Sequence, residues 1–167
     1  MNIERITELA HKASEIVATI GNRWDDPNFD NGEFVSLYNH KTGQSSVVLR
    51  HLPSNYVFKA DCYNTLPSTN ASRRNLGEVT IHGSTYRVRL PEFYIIEMGE
   101  DTYGDPMTMV VTEFVDGDDC GCDAGGWCVC ARAMSRVTNC NDTHSGNWLI
   151  KDDEVILFDF EGINLTD

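Results

Sequence analysis

Towards its C-terminal end the chain runs Asp142-Thr-His144-Ser-Gly146-Asn147 and then into two short apolar stretches, residues 148–150 and 155–160, with the charged turn Lys151-Asp152-Asp153 between them, followed by Glu154. A charged triplet between two runs rich in strand formers predicts a β-hairpin. The second run contains an acid among apolar neighbours, Ile156-Leu-Phe-Asp159-Phe-Glu. An Asp and an Asn five residues apart, followed twelve residues later by a second Asp in a strand, are the parts that phosphoryl transfer uses. One carboxylate orients the acceptor hydroxyl, and the amide and the second carboxylate hold Mg²⁺ on the nucleotide phosphates. The signal is the spacing, because Asp and Asn are common residues.

In D-x-H-x-G-N followed by D-F-E the chain resembles the protein-kinase-like superfamily. The likeness is closest to its atypical branch of aminoglycoside and choline kinases and the early serine/threonine kinases of short-tailed coliphages. The resemblance implies Asp142 as catalytic base, Asn147 as a metal ligand and Asp159 as the main Mg²⁺ ligand. His144 would orient Asp142 or neutralise the transferred phosphoryl group. Three further segments fit in order. Gly32-Glu-Phe-Val-Ser-Leu-Tyr38 is similar to the second half of a glycine-rich loop, although Asp30 and Val35 stand where the other glycines fall. As a plain sequence it equally reads as a β-hairpin. Tyr56-Val-Phe-Lys59-Ala resembles the strand whose lysine neutralises the α- and β-phosphates, with Glu78 its candidate ion-pair partner. The plain alternative is a lysine on a solvent face. Val110-Val-Thr-Glu113-Phe-Val115-Asp-Gly117 resembles the segment joining the two kinase lobes. There the Glu113 carbonyl and the Val115 N–H would contact adenine, and Thr112 would line the pocket.

The resemblance therefore implies an α+β, kinase-like two-lobe fold, with an antiparallel sheet lobe and a minimal helical lobe that carries the catalytic hairpin. The implied cofactors are ATP and Mg²⁺, and the implied reaction moves the γ-phosphate to a hydroxyl of a protein Ser/Thr or a small molecule. Only the residues up to Asp167 follow Asp159, so the helices with which peptide-phosphorylating kinases grip their substrate are not expected here.

Acidic residues outnumber basic ones 26 to 13, for a net charge of −13. Such a surface repels nucleic-acid phosphate and argues against direct nucleic-acid binding. It also opens a competing function, an acidic inhibitor that binds a host protein through contact alone on a kinase-like scaffold. No run approaches the roughly 20 apolar residues needed to span a bilayer. The N-terminus alternates charged and apolar residues, unlike a signal peptide. The expected setting is the cytoplasm, with a nucleotide and a protein partner or substrate as ligands.

Four of the six cysteines form Cys120-Gly-Cys122 and Cys128-Val-Cys130. Two such turns can set four thiolates around Zn²⁺. Against this, Cys130 shares a helical stripe with Ala133, Met134 and Val137, and on that helix Cys128 and Cys130 would point apart. Free cysteine is also an ordinary core residue. Both readings stand.

Three regions are expected. An amphipathic helix fills 1–22, with Asn2 as its cap. A β-rich nucleotide-binding lobe covers 23–113, with strands at 34–38, 46–50, 56–60, 80–90, 93–98 and 107–115. A minimal catalytic lobe covers 114–167, with a helix over 126–139. Residues 64–77 read as loop or weak helix.

Overall fold

The computed structural model describes residues 2–20, 29–37, 47–61, 74–100, 104, 106–122, 128–140, 143–144 and 146–158. Asp142 and Asp159 lie outside these residues, as do residues 64–73 of the loop expected at 64–77. The architecture is α+β. The chain divides into one unit of Met1–Asn64 with Phe93–Phe114 and another of Thr65–Glu92 with Val115–Asp167.

The first unit begins with α1 (Ile3–Ile20). Its first turn is capped as the sequence predicts: the Asn2 side-chain oxygen accepts from the Arg5 N–H at 3.0 Å. Ile6, Leu9, Ala10 and Ala13 are its buried residues, the 3–4 spacing of one helix face. That face meets a sheet of β1 (Phe34–Ser36), β2 (Val48–His51), β3 (Tyr56–Asp61), β6 (Phe93–Glu100) and β7 (Pro106–Glu113). The strand order is β1-β2-β3-β7-β6, with every pairing antiparallel. Phe34, Leu49, Phe58, Ile96, Met109 and Val111 form one core with the helix residues. Strand side chains alternate faces, so Phe58 turns towards α1. Lys59, directly opposite Val110 on β7, stands on the other face.

The second unit holds β4 (Asn75–Ile81), β5 (Ser84–Arg89), α2 (Val129–Thr138), β8 (Trp148–Lys151) and β9 (Glu154–Leu157). The sheet order is β4-β5-β9-β8, and β5–β9 is a parallel pair. Arg89 Nε donates to Glu154 Oε2 at 2.7 Å across that pair. Helix α2 lies close on β4. Gly77 has φ +127°, and a Cβ there would come within 3.1 Å of Val137 Cγ1.

Two expectations need correction. The stretch 80–90 is not one strand in a single sheet. His82 (φ 49°) and Gly83 (φ 87°) form a two-residue turn with positive φ at both central positions, the type I′ geometry that suits a hairpin. Strand β4 already starts at Asn75, where the sequence reads as loop, and Thr65–Glu92 belongs with the second unit. The second unit is also not mainly helical: among the described residues one helix accompanies a four-stranded sheet.

Candidate metal centre

Just before the first cysteine pair, Asp118 pairs antiparallel with Ile150 of β8. Asp118 and Ile150 exchange both backbone hydrogen bonds at 2.8 Å. Gly117 permits the approach, since a Cβ there would lie 2.6 Å from the Ile150 carbonyl oxygen. Beyond this anchor, Asp119 Oδ1 accepts from the Gly121 N–H at 2.7 Å, and Gly121 takes φ 64°. The left-handed glycine turns the chain back between Cys120 and Cys122.

The second pair sits at the start of α2. Cys128 is its N-cap, with extended backbone, and its sulfur accepts from the Ala131 N–H at 3.3 Å. This answers the objection that two cysteines on one helix point apart. The helix starts at Val129 rather than 126, so Cys128 stands outside it and Cys130 within its first turn. The sulfurs of Cys120, Cys122, Cys128 and Cys130 all lie within 4.8 Å of one another, and those of Cys122 and Cys130 are 3.6 Å apart. A tetrahedral centre with 2.3 Å metal–sulfur bonds has sulfurs about 3.8 Å apart. The four cysteines can therefore hold a metal ion.

The electrostatics fit such an ion. Burial pushes the Cys120 thiol up to about 12, and neighbouring Cys122 and Cys128 add to the rise. Burial likewise pushes Cys130 up to about 11, again with Cys122 and Cys128 contributing. Burial also acts to raise Cys128, but the Ala131 N–H and the hydrogen bonds of neighbouring thiols outweigh it, so the net direction is down. Thiols crowded in this way resist ionising together. A dication removes the obstacle by bonding the thiolates directly.

A fifth group reaches the cluster from the β4–β5 turn. His82 Nε2 lies 2.9 Å from the Cys120 carbonyl oxygen and 3.9 Å from both the Cys122 and Cys130 sulfurs. The sequence reading missed it. Its one available signal was a histidine directly before glycine between two strand-like runs.

In the same unit, the loop carrying the phosphoryl-transfer pattern is tied to α2 and to the β8–β9 hairpin. The Thr143 hydroxyl donates to the Ala131 carbonyl at 2.8 Å, and Trp148 Nε1 donates to the Thr143 carbonyl at 3.1 Å. The Gly146 N–H donates to His144 Nδ1 at 3.1 Å. The Asn147 N–H donates to the His144 carbonyl, and the Phe158 N–H to the Asn147 carbonyl, each at 3.0 Å. Asn147 is 2 % exposed.

In the first unit, Lys59 lies on β3 opposite Val110, and Glu113 ends β7 opposite Tyr56. Val115 opens the second segment of the second unit. The structure does not bring Gly32 to Lys59. Gly32 is in the turn before β1, where Asp30 Oδ1 accepts its N–H at 2.8 Å and Asn31 Oδ1 accepts from Glu33 and Phe34. Phe34 aligns through His51 with Tyr56, about 10 Å along β3 from Lys59. The Asp30 and Asn31 side chains cap this turn, and Asp30 engages the Gly32 N–H. Glu78 is exposed on β4, opposite Arg87.

Among the described residues, no helix is long and apolar enough to cross a membrane. Comparison of the chain with protein-family models, with curated proteins and with solved structures gave no match.

Proposed function

We propose that the chain is a kinase-like phosphotransferase that moves the γ-phosphate of Mg–ATP to a hydroxyl, and that its four clustered cysteines hold one structural Zn²⁺. One observation supports the transferase reading best. The Phe158 N–H donates to the Asn147 carbonyl at 3.0 Å, so the β8–β9 hairpin returns the chain to Asn147 one residue before Asp159. On this reading Asn147 and Asp159 hold Mg²⁺, and Asp142 orients the acceptor hydroxyl and takes its proton. The zinc reading is supported by the convergence of the sulfurs within 4.8 Å, and thiolate-only ligation favours a soft or borderline ion such as Zn²⁺ over Mg²⁺ or Ca²⁺.

The test is incubation with Mg²⁺ and γ-labelled ATP, with and without host-cell extract, beside a thermal melt. A ligand at a hundredfold excess over its Kd stabilises the native state by about 2.7 kcal/mol. Asp142→Asn should retain nucleotide binding and lose on the order of 10²-fold or more in transfer rate. Asp159→Asn should lose Mg²⁺-dependent binding as well. A melt unmoved by saturating Mg–ATP, with no labelled product, overturns the transferase reading. It leaves the zinc reading to metal analysis, which should return close to one Zn per chain.

A further inference from the structure

We infer that His82 is a fifth residue of the metal centre, a positioning residue outside the coordination sphere that holds the Cys120 carbonyl by its Nε2–H and faces the sulfurs of Cys122 and Cys130. The inference rests on the zinc reading above and names how that site is tuned.

Two independent observations carry it. The first is the contact geometry. A carbonyl oxygen only accepts, so the 2.9 Å contact to Cys120 fixes the proton on Nε2. A protonated ring nitrogen has no lone pair for a metal, so Nε2 cannot ligate while that bond is in place. The same N–H lies 3.9 Å from two of the sulfurs. Four thiolates around a dication leave two net negative charges, and a positive N–H edge beside them offsets part of that excess. Its hold on the Cys120 carbonyl also fixes the loop that aims Cys120 and Cys122. The residue as a whole is exposed, so it is the Nε2 edge that meets the cluster.

The second observation is the backbone. His82 takes φ 49° at the first central position of a two-residue hairpin turn, with Gly83 at the second. The most favoured pair for such a turn is Asn-Gly. Turn chemistry alone would be better served by asparagine, and the side chain that stands there instead reaches the cysteines.

This makes His82→Asn the decisive variant of the full chain. It improves the turn and removes the reach. Zn²⁺ affinity is read by competition with a chromophoric chelator, and the ligand set by the charge-transfer spectrum of the Co²⁺-substituted protein. Wild type should bind one metal with a four-sulfur spectrum. His82→Asn should keep that stoichiometry and spectrum and bind Zn²⁺ about 10–100-fold more weakly, the usual cost of losing an outer-shell partner. His82→Gln, longer and still an N–H donor, should recover part of the loss, and it carries the same comparison if His82→Asn misfolds. Unchanged or tighter binding in His82→Asn reduces His82 to a turn residue and overturns the inference. A wild-type spectrum of three sulfurs and one nitrogen makes His82 a ligand and overturns the outer position. A wild type that binds no metal removes the zinc reading and this inference together, without touching the transferase reading.

Discussion

The two units are both α+β layers, yet they are held together differently. In the first, an 18-residue helix lays its apolar face on a five-stranded antiparallel sheet. The large side chains Phe34, Phe58, Leu49 and Met109 are fully buried between them. In the second, α2 has 10 residues, β8 and β9 have four each, and Cys120, Cys130 and Cys140 take places in the buried set beside Met134 and Trp148. Its sheet also depends on the parallel β5–β9 pair, which joins Arg87–Arg89 to Glu154–Ile156 across a long stretch of chain. Closing so long a loop costs conformational entropy before its contacts return any stability. The first unit can rest on apolar burial, whereas the second has a metal-ready clasp where α2 begins. The lesson is that similar layer architectures can place their stability in different chemistry.

On the zinc reading, the strongest way to break this contrast is to remove the metal. Structural Zn²⁺ sites contribute apparent binding free energies of about 10–16 kcal/mol in small zinc-binding folds, and in such folds that energy is folding energy. Chelation, or Cys122→Ser with Cys130→Ser, should therefore abolish amide-exchange protection in β8, β9 and α2. Protection in β2, β3 and β7 should remain. If both units lose protection together, the division of stability drawn above is wrong. If neither does, the cysteines are core thiols.

The complementary perturbation is Phe58→Ala. Phe58 is 0 % exposed and packs edge-on against Phe34 at 5.8 Å between ring centroids. Truncating a buried Phe typically costs about 3–5 kcal/mol, from lost transfer free energy and the cavity left behind. The loss should appear in the first unit, with Zn²⁺ affinity unchanged. A fall in metal affinity would show that the units are energetically coupled.

The sequence made the first unit and the C-terminal hairpin legible because their signals are local and periodic. The stripe Ile6, Leu9, Ala10, Ala13, the Asn2 cap and the Lys151-Asp152-Asp153 turn each depend on neighbours within a few residues. The sequence misled where a short polar side chain decided the turn. Asp30 and Asn31 cap the Gly32 turn, a local arrangement that the likeness to a glycine-rich loop does not predict. His82-Gly83 split an apparent single strand, because histidine is not a residue one expects to open a hairpin turn. For the cysteines the pattern was visible but the outcome depended on where α2 begins. A shift of the helix start from 126 to Val129 turned two diverging side chains into converging ones. The pairing of β5 with β9 had no local signal at all, since it joins segments far apart in the chain.

The smallest expected effect separates the units by pH. His51 is 3 % exposed in the first unit and lies against Phe34 at 4.8 Å. Its Nδ1 faces the Ser54 hydroxyl at 2.6 Å and accepts the Ser54 N–H at 3.2 Å, while Nε2 faces Glu33 Oε1 at 3.4 Å. An Nδ1 that accepts leaves the proton on Nε2, so the ring is neutral in the native fold. Burial pushes its pKa below the ordinary histidine value. Glu33 pulls it back up, and Arg5 and Lys12 add to the lowering. The Lys12 hydrogen bond in turn holds Glu33 below its usual range. The unfolded chain therefore takes up a proton at about pH 6.5 that the folded chain refuses until lower pH. Stability from His51 is complete above that value, falls as pH drops through it, and is fully lost below the folded pKa. Glu33 has the same sign but acts only at more acid pH, near the carboxylate range. The second unit should also weaken in acid, for a different reason: protons compete with the metal for thiolates. His51→Gln should flatten the pH dependence of the first unit below about pH 6.5, measured by amide exchange in β2 and β3, and leave the acid sensitivity of α2 and β8 untouched. An unchanged slope in the first unit would mean that a different group titrates there, and a changed slope in the second would mean that the two units do not respond to acid independently.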